Sequence, residues 1–390
     1  MNFEKYNFTI VHSGNRDSYM LAEALLEANK LDFLVTDDYV FRYLLKKQSN
    51  IPLSKIKTSI TALFWLICFK IFKKNIFQIK KDVALSKKAA QVANQKNSHL
   101  IAYSYYGFPA FNSLNKNLKK ILFQLHPHPT YIKQLFLEEI ELLPQAKFSL
   151  EQEHELNEAS HLEILKKEAH AADVVFCASS FTKFTLKCDS VTSPIYVVPY
   201  GVDFSKFIYK ERNLEENVLK VIFVGSINQR KGIYYLLEAI QQLQNKNLNI
   251  HLTIFGRGIL DVNLVESFKL KNCNIKINAS FDALLQGYQD ADVFVLPSIC
   301  EGFGQVILEA MATGLPVIAT TNTSLPDLIE NNKEGFVIPI RDSNSLAEKL
   351  IYLYENKETC LKMGNFAYEK SKFFTWNSFK NKLIQNLNAE

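Results

Sequence analysis

The sequence predicts an α/β protein of two Rossmann-like domains facing each other across a cleft. Three observations carry this. Apolar strand-like runs alternate with helical patterns along the chain, the alternation breaks once near residue 200, and 390 residues exceed one ordinary core. The expected divisions are 1–205, 206–370 and a terminal helical segment 371–390.

The opening strand is Phe8–His12, followed by the turn S-G-N-R-D and the helical run Y-M-L-A-E-A-L-L-E-A. Further strands are expected at Asp32–Thr36, His99–Ser104, Lys120–Leu125, Val174–Ser179 and Ile195–Pro199, as in a parallel sheet covered on both faces. From Glu138 to Glu168 nine Glu stand against Lys147, Lys166 and Lys167, at helical spacing, which predicts one or two partly exposed helices. Tyr200–Phe207 and the polar run K-E-R-N-L-E-E-N then read as the linker. The second half repeats the alternation: Val221–Gly225, a helix from Ile233, His251–Gly256, N-I-K-I-N, V-F-V-L-P, P-V-I-A-T and G-F-V-I-P. The end, F-F-T-W-N-S-F-K-N-K-L-I-Q-N-L, is one more amphipathic helix. Ligands in facing sheets of this kind bind at the carboxyl ends of the strands.

A hydrophobic fraction of 47% with 22% charged residues excludes a disordered chain. The six cysteines (Cys68, Cys177, Cys188, Cys273, Cys300 and Cys360) form no C-x-x-C pair and have no His at metal-ligand spacing, so reduced thiols in a cytoplasmic protein are expected. The N-terminus enters a strand almost at once, leaving no room for a signal-peptide core.

Charge is uneven. Residues 41–90 hold twelve Lys or Arg against the single acid Asp82. Within them Ile60–Phe72 is a thirteen-residue apolar run interrupted by Lys70, too short for a bilayer-spanning helix. Two readings follow for it: a core helix with a solvated basic flank, or an element lying on an anionic membrane surface, peripheral to the inner face. No recognition motif accompanies the basic patch, so nucleic acid is not an expected partner.

The most informative stretch is Glu301–Glu309, E-G-F-G-Q-V-I-L-E, between a buried-strand run and a helix that ends at Gly314. Glycines permit positive φ and close backbone approach, free N–H groups at a helix start suit phosphate, and two carboxylates suit sugar hydroxyls. A sugar nucleotide is the ligand this predicts. With Gly302, Gly304, Gly314 and Pro316 in register, E-G-F-G-x-x-x-x-E-A-M-A-x-G-x-P-V-I-A-T resembles the donor-site signature of the family 4 retaining glycosyltransferases of GT-B fold. V-V-P-Y-G-V-D and F-V-G-S-I-N-Q-R-K-G (Phe223–Gly232) extend the resemblance over about Tyr200–Ala319, while the first half matches in outline only.

The resemblance implies an acceptor-binding first domain, a donor-binding second domain and a last helix crossing back to the first. It implies transfer of a sugar from a nucleoside diphosphate sugar to a hydroxyl of a glycan or lipid-linked acceptor, with retention, in the synthesis of cell-surface polysaccharide or lipopolysaccharide. Glu301 would hold the transferred sugar's hydroxyls and Glu309 the ribose, with Gly302, Phe303 and Gly304 around the phosphates. Lys231 would stabilise the leaving phosphate. The family commonly has an Arg after the strand glycine Gly225, whereas this chain has Ser226 there, and Arg230 is the substitute. Gly256, Arg257 and, in the loop after the next strand, Phe281 are donor-site candidates. From the first domain come Gly14 after the first strand and His126, preferred to His128 in H-P-H-P because it sits nearer the strand end. Arg16 and Asp17 are acceptor candidates beside Gly14. No D-x-D stands at a strand end, so no metal and no cofactor beyond the co-substrate are expected. The rival readings are a sugar-nucleotide epimerase and an inactive, membrane-associated sugar-nucleotide-binding relative.

Overall fold

The computed structural model of the chain describes residues 6–14, 17–37, 50–157, 159–213 and 215–389. Arg16 and residues 41–49 of the basic segment lie outside the described residues.

Continuous apolar runs make strands buried on both faces, which suits parallel pairing under helices. The first sheet takes β1 (Phe8–Val11), β2 (Leu31–Val35), β3 (Ile56–Lys57), β4 (His99–Tyr103), β5 (Lys120–Gln124), β6 (Val174–Cys177) and β7 (Ile195–Val197). Among the described residues it has seven strands, in the order β3-β2-β1-β4-β5-β6-β7. The second takes β8 (Leu219–Ile227), β9 (Ile250–Leu260), β10 (Cys273–Ile277), β11 (Val293–Leu296), β12 (Val317–Thr320) and β13 (Gly335–Ile338), in the order β10-β9-β8-β11-β12-β13. Every pairing in both sheets is parallel. In each sheet the order reverses beside the first strand, between β1 and β4 and between β8 and β11, and the two crevices opened there face each other.

Strand boundaries shift by a residue or two from the sequence reading: β2 starts at Leu31 and β6 stops at Cys177. The acidic stretch differs more. It builds the helices Pro129–Leu142, Lys147–Leu150, His154–Asn157 and Ala159–Ala171, and Glu139 and Glu168 within it are fully buried. Ile60–Phe72 is a helix as its pattern requires, but not a core helix, for Ala62 is its one buried residue.

The chain crosses between the sheets twice, at adjacent points. Val202 N–H donates to Phe374 O at 2.9 Å. Gly201 lies so close to the returning strand that a Cβ there would sit 2.2 Å from the Thr375 carbonyl carbon. After this crossing the helix Trp376–Ala389 buries Phe379, Leu383 and Leu387 in the core of the first sheet. Lys380 fixes its register, bonding Glu23 at 3.2 Å and Glu27 at 2.6 Å.

The last helix is therefore part of the first domain's core. Phe379→Ala should lower unfolding stability by about 3–5 kcal/mol in urea titration. An exposed-site substitution on the same helix, such as Asn381→Ala, should stay within about 0.5 kcal/mol.

Candidate functional site

The site begins with the turn after β8. Asn228 caps the short turn Gln229–Lys231, its Oδ1 accepting from Lys231 N–H at 3.2 Å. Gly232 closes it at φ 68°, and a Cβ there would stand 1.9 Å from Pro297 O. This approach is open to glycine alone, and it lays Arg230 and Lys231 against the loop that follows β11. Ile299 N–H donates to Arg230 O at 2.9 Å and Glu301 N–H to Asn322 O at 2.9 Å, fixing the loop from both sides.

Glu301 is thereby buried, and both cations converge on one of its oxygens. Lys231 Nζ lies 2.5 Å and Arg230 Nη1 3.3 Å from Glu301 Oε1. Burial pushes this carboxyl up, but Lys231 and Arg230 outweigh it and hold it below the usual carboxylate range. Arg230 Nε also bonds Glu153 Oε1 at 3.1 Å, and Asn228 Nδ2 bonds the same oxygen at 2.8 Å. Two cations and two carboxylates thus share one seam between the domains. Arg230 and Lys231 face the same group although adjacent, because the tight turn bends the chain between them. Ser226 is elsewhere, its Oγ beside Gly258.

Beyond Glu301, Gly304 at φ 81° opens the helix Gln305–Ala312, which has no side-chain cap. Its first N–H groups form an anion-attracting end. One turn further, Glu309 Oε2 accepts from Tyr288 O–H at 3.0 Å, and burial raises its pKa to about 7. The strand expected over His251–Gly256 does not end at Gly256. β9 runs on to Leu260 beside β8, with a register shift after Gly225, so Gly256 and Arg257 both lie within a strand and Arg257 is exposed. Phe281 is not in a loop: it opens the helix Phe281–Asp290 behind the cap Ser280. Its ring is 43% exposed and meets Phe207, which in turn meets Tyr288, the hydroxyl donor to Glu309.

The first domain supplies the opposite wall. Gly14, at φ 66° with open space where a Cβ would stand, follows β1. Its N–H reaches Asp37 Oδ1 at 3.3 Å. His126 lines the cleft with Glu301, whereas His128 is fully buried and turned toward Asp189 at 3.4 Å. A cleft cavity of about 410 Å³ is lined by Asp17, His126, Tyr200, Glu301, Phe303 and Trp376, among others. Asp17 Oδ2 accepts from Tyr103 O–H at 2.5 Å, and burial raises Asp17 to about 7.

Sequence reasoning missed the groups that join the domains. Gly302 O accepts from Ser179 Oγ at 2.6 Å and Thr182 Oγ1 at 3.1 Å, and a Cβ at Gly302 would stand 2.0 Å from Leu125 O. Glu139 accepts from Gln229 Nε2 (2.7 Å), Tyr235 O–H (2.8 Å) and Arg341 Nε (2.7 Å), so one buried carboxylate of the first domain is satisfied wholly by the second. Ile132, Phe136, Leu150 and Phe181 pack with Ile299 and Cys300 around it.

Residues 205–370 match the profile of the family described as glycosyl transferases group 1. The amylovoran biosynthesis glycosyltransferase AmsK of Erwinia amylovora is 30% identical over 173 residues, 42% of this chain and 42% of AmsK. The chain matches about half or less of the length of such curated relatives. Among solved structures, the sucrose-phosphate synthase of Thermosynechococcus elongatus superposes with TM-score 0.70 at 19% identity, covering 98% of each chain. Anabaena HepE in complex with UDP-glucose gives TM-score 0.66 at 14% identity, covering 99% of this chain and 100% of HepE. These likenesses show the fold, the GT-B arrangement of two facing Rossmann-like domains.

Glu309 has a testable thermodynamic signature. Its folded pKa of about 7 stands above the ordinary glutamate value of 4.5, so the native state binds the extra proton between these limits. The stability this contributes is complete below pH 4.5 and is lost as pH rises through 7. Glu309→Gln should flatten the decline by on the order of 1–3 kcal/mol across this window in denaturant titrations. A slope unchanged from the parent would show that the carboxyl titrates normally.

Proposed function

We propose, on the premise that residues 205–370 are a domain of the group 1 glycosyltransferase family, that this protein transfers a sugar from a nucleoside diphosphate sugar to an acceptor hydroxyl in cell-surface polysaccharide or lipopolysaccharide synthesis. The observation that carries the reading is the convergence of Lys231 and Arg230 on Glu301, next to the uncapped helix start at Gly304. AmsK and the capsular polysaccharide glycosyltransferase CapM of Staphylococcus aureus support the pathway class by their names. The neighbours crystallised with UDP and UDP-glucose support a uridine nucleotide as donor.

In this reading the donor exchanges with internal ion pairs. Its sugar hydroxyls donate to Glu301, releasing Lys231 and Arg230 toward the diphosphate, whose negative charge also meets the helix start at Gly304. Glu309, once ionised, accepts the two ribose hydroxyls, and Phe281 stands at the base end with Gly256 and Arg257. The acceptor enters between His126 and the Gly14 turn. As the bond from the anomeric carbon to the phosphate oxygen breaks, the acceptor oxygen bonds that carbon from the same face, and its proton passes to the leaving phosphate. The configuration is retained, and Lys231 and Arg230 stabilise the charge that develops on the nucleoside diphosphate. No step needs a metal. Packing around Glu139 and Gly302 excludes water and so limits hydrolysis of the donor. The acceptor is lipid-linked, since the first domain carries an apolar and basic hairpin; among the described residues no helix is long and apolar enough to cross a membrane, and peripheral attachment is what the hairpin suits.

A thermal-shift screen against UDP, GDP and ADP, with and without chelator, should show stabilisation by UDP that chelator leaves intact. Donor turnover should fall at least 100-fold in Glu301→Ala without loss of folding. Unchanged turnover in that variant would remove Glu301 from its role, and silence toward every nucleotide would favour the inactive-relative reading.

A further inference from the structure

The helix Ile60–Phe72 and the helix Asn75–Lys96 form a hairpin on the first domain, joined at Lys73 and Lys74. Ile60 (87%), Phe64 (55%), Ile67 (57%) and Ile71 (65%) are exposed, and their spacing of four, three and four puts them on one stripe of the first helix. Phe72 and Ile76 continue it around the turn. Between the two helices runs an open groove of about 1120 Å³ with Trp65, Ile79, Val83 and Ala84 in its lining. Lys80, Lys87 and Lys88 border it, and Lys80 Nζ stands 4.5 Å over the Trp65 ring. An apolar floor, with ammonium groups along one side and the polar groups of Thr58, Thr61, Gln91 and Asn94 also in the lining, suits an alkyl chain ending in an anionic head.

We propose that this groove is a binding site for a single anionic amphiphile, an alkyl phosphate in chemical class, taken from the surface of a bilayer on which the Ile60–Ile71 stripe rests. The inference builds on the reading of a lipid-linked acceptor and names the part of the molecule that would hold the lipid. The groove is tied to the cleft. Lys81, on the same helix as Lys80, points inward, and its Nζ bonds Ser13 Oγ at 2.8 Å and Asp37 Oδ2 at 2.9 Å. Ser13 Oγ donates to Asp37 at 2.7 Å, and Asp37 also takes the Gly14 N–H. An amphiphile seated beside Lys80 and Lys87 is thus held by the helix that supports the glycine turn at the cleft. The exposed stripe supplies apolar contact with the bilayer, and the lysines supply attraction to anionic headgroups that salt screens.

The chain has two tryptophans, so Trp376→Phe leaves Trp65 as the sole indole reporter. Decyl phosphate below its micellar concentration should shift Trp65 emission saturably, with affinity at least fivefold above that for decylphosphocholine. Vesicles of brominated phosphatidylglycerol should quench the same residue, whereas brominated phosphatidylcholine vesicles should not. Introducing Lys80→Glu and Lys87→Glu together should weaken decyl phosphate at least tenfold and leave the UDP thermal shift unaltered, which separates this site from the donor site. Response to decyl phosphate without quenching by vesicles would keep the groove and overturn the bilayer as its source. Equal responses to both headgroups, no response, or burial of Trp65 in a concentration-dependent dimer seen by sedimentation would overturn the proposal.

Discussion

Burial of Glu301 is the constraint on which the rest of the site depends. A carboxylate removed from water is costly unless nearby cations and hydrogen bonds compensate it. The compensation here comes from Lys231 and Arg230, which reach Glu301 because Gly232 allows the β8 turn to press on Pro297. Arg230 in turn needs its second partner, Glu153, from the first domain. Charge balance at one residue therefore sets the conformation of two loops and the approach of the two domains. A ligand that competes for Glu301 and for the cations at once would act on all three.

The interdomain seam is built on similar terms. Glu139 has no exposed surface, and all three of its hydrogen-bond donors named above belong to the other domain. Separation of the domains would leave that carboxylate without these donors until water replaced them, so the seam fixes which surfaces meet as well as holding them together. Gly302 adds a steric condition, since its close contact with Leu125 leaves no space for any larger residue. The hinge strands at Gly201 and Thr375 lie side by side, so any domain motion turns about one narrow crossing. Rigid sheets joined at such a crossing favour rotation over internal deformation.

How much of this was legible in the sequence follows from how locally each feature is encoded. The Glu301–Glu309 stretch was readable because tight backbone turns require glycine at fixed offsets, and the carboxylates sit within the same few residues. The alternation of strands was readable because parallel strands are apolar throughout. Glu139 and Glu153 were not: each looks like one more acid on a polar helix, and their partners lie 75 to 202 residues away. The local pattern ends the strand at Gly256 and leaves Phe281 in a loop, because neither strand pairing nor a helix cap shows in the neighbouring residues. Hydrogen bonding between β8 and β9 carried the strand onward, and the Ser280 side chain capped a helix at Phe281. Ile60–Phe72 was ambiguous for a physical reason, since composition alone does not say whether an apolar helix finds a covering surface.

That last helix poses a cost which the fold itself does not recover. Leaving Ile60, Phe64, Ile67 and Ile71 in water forgoes about 1.5 kcal/mol or more for each side chain that could be buried. The neighbouring helix Asn75–Lys96 packs its own buried residues, among them Lys81, Leu85 and Ala89, inward against the first sheet, and shields the first helix on one side only. Lys81 shows why the hairpin nevertheless holds its place. A lysine with 8% of its side chain exposed, flanked by Asp37 and Asp82, is an anchor whose removal would strand two carboxylates in the interior. The hairpin is thus fixed by charge at its inner face while its outer face stays uncovered. An arrangement in which polar contacts set position and an apolar face is left uncovered is what the proposed surface docking requires, and through Lys81 the hairpin is in direct bonded contact with the turn that walls the cleft.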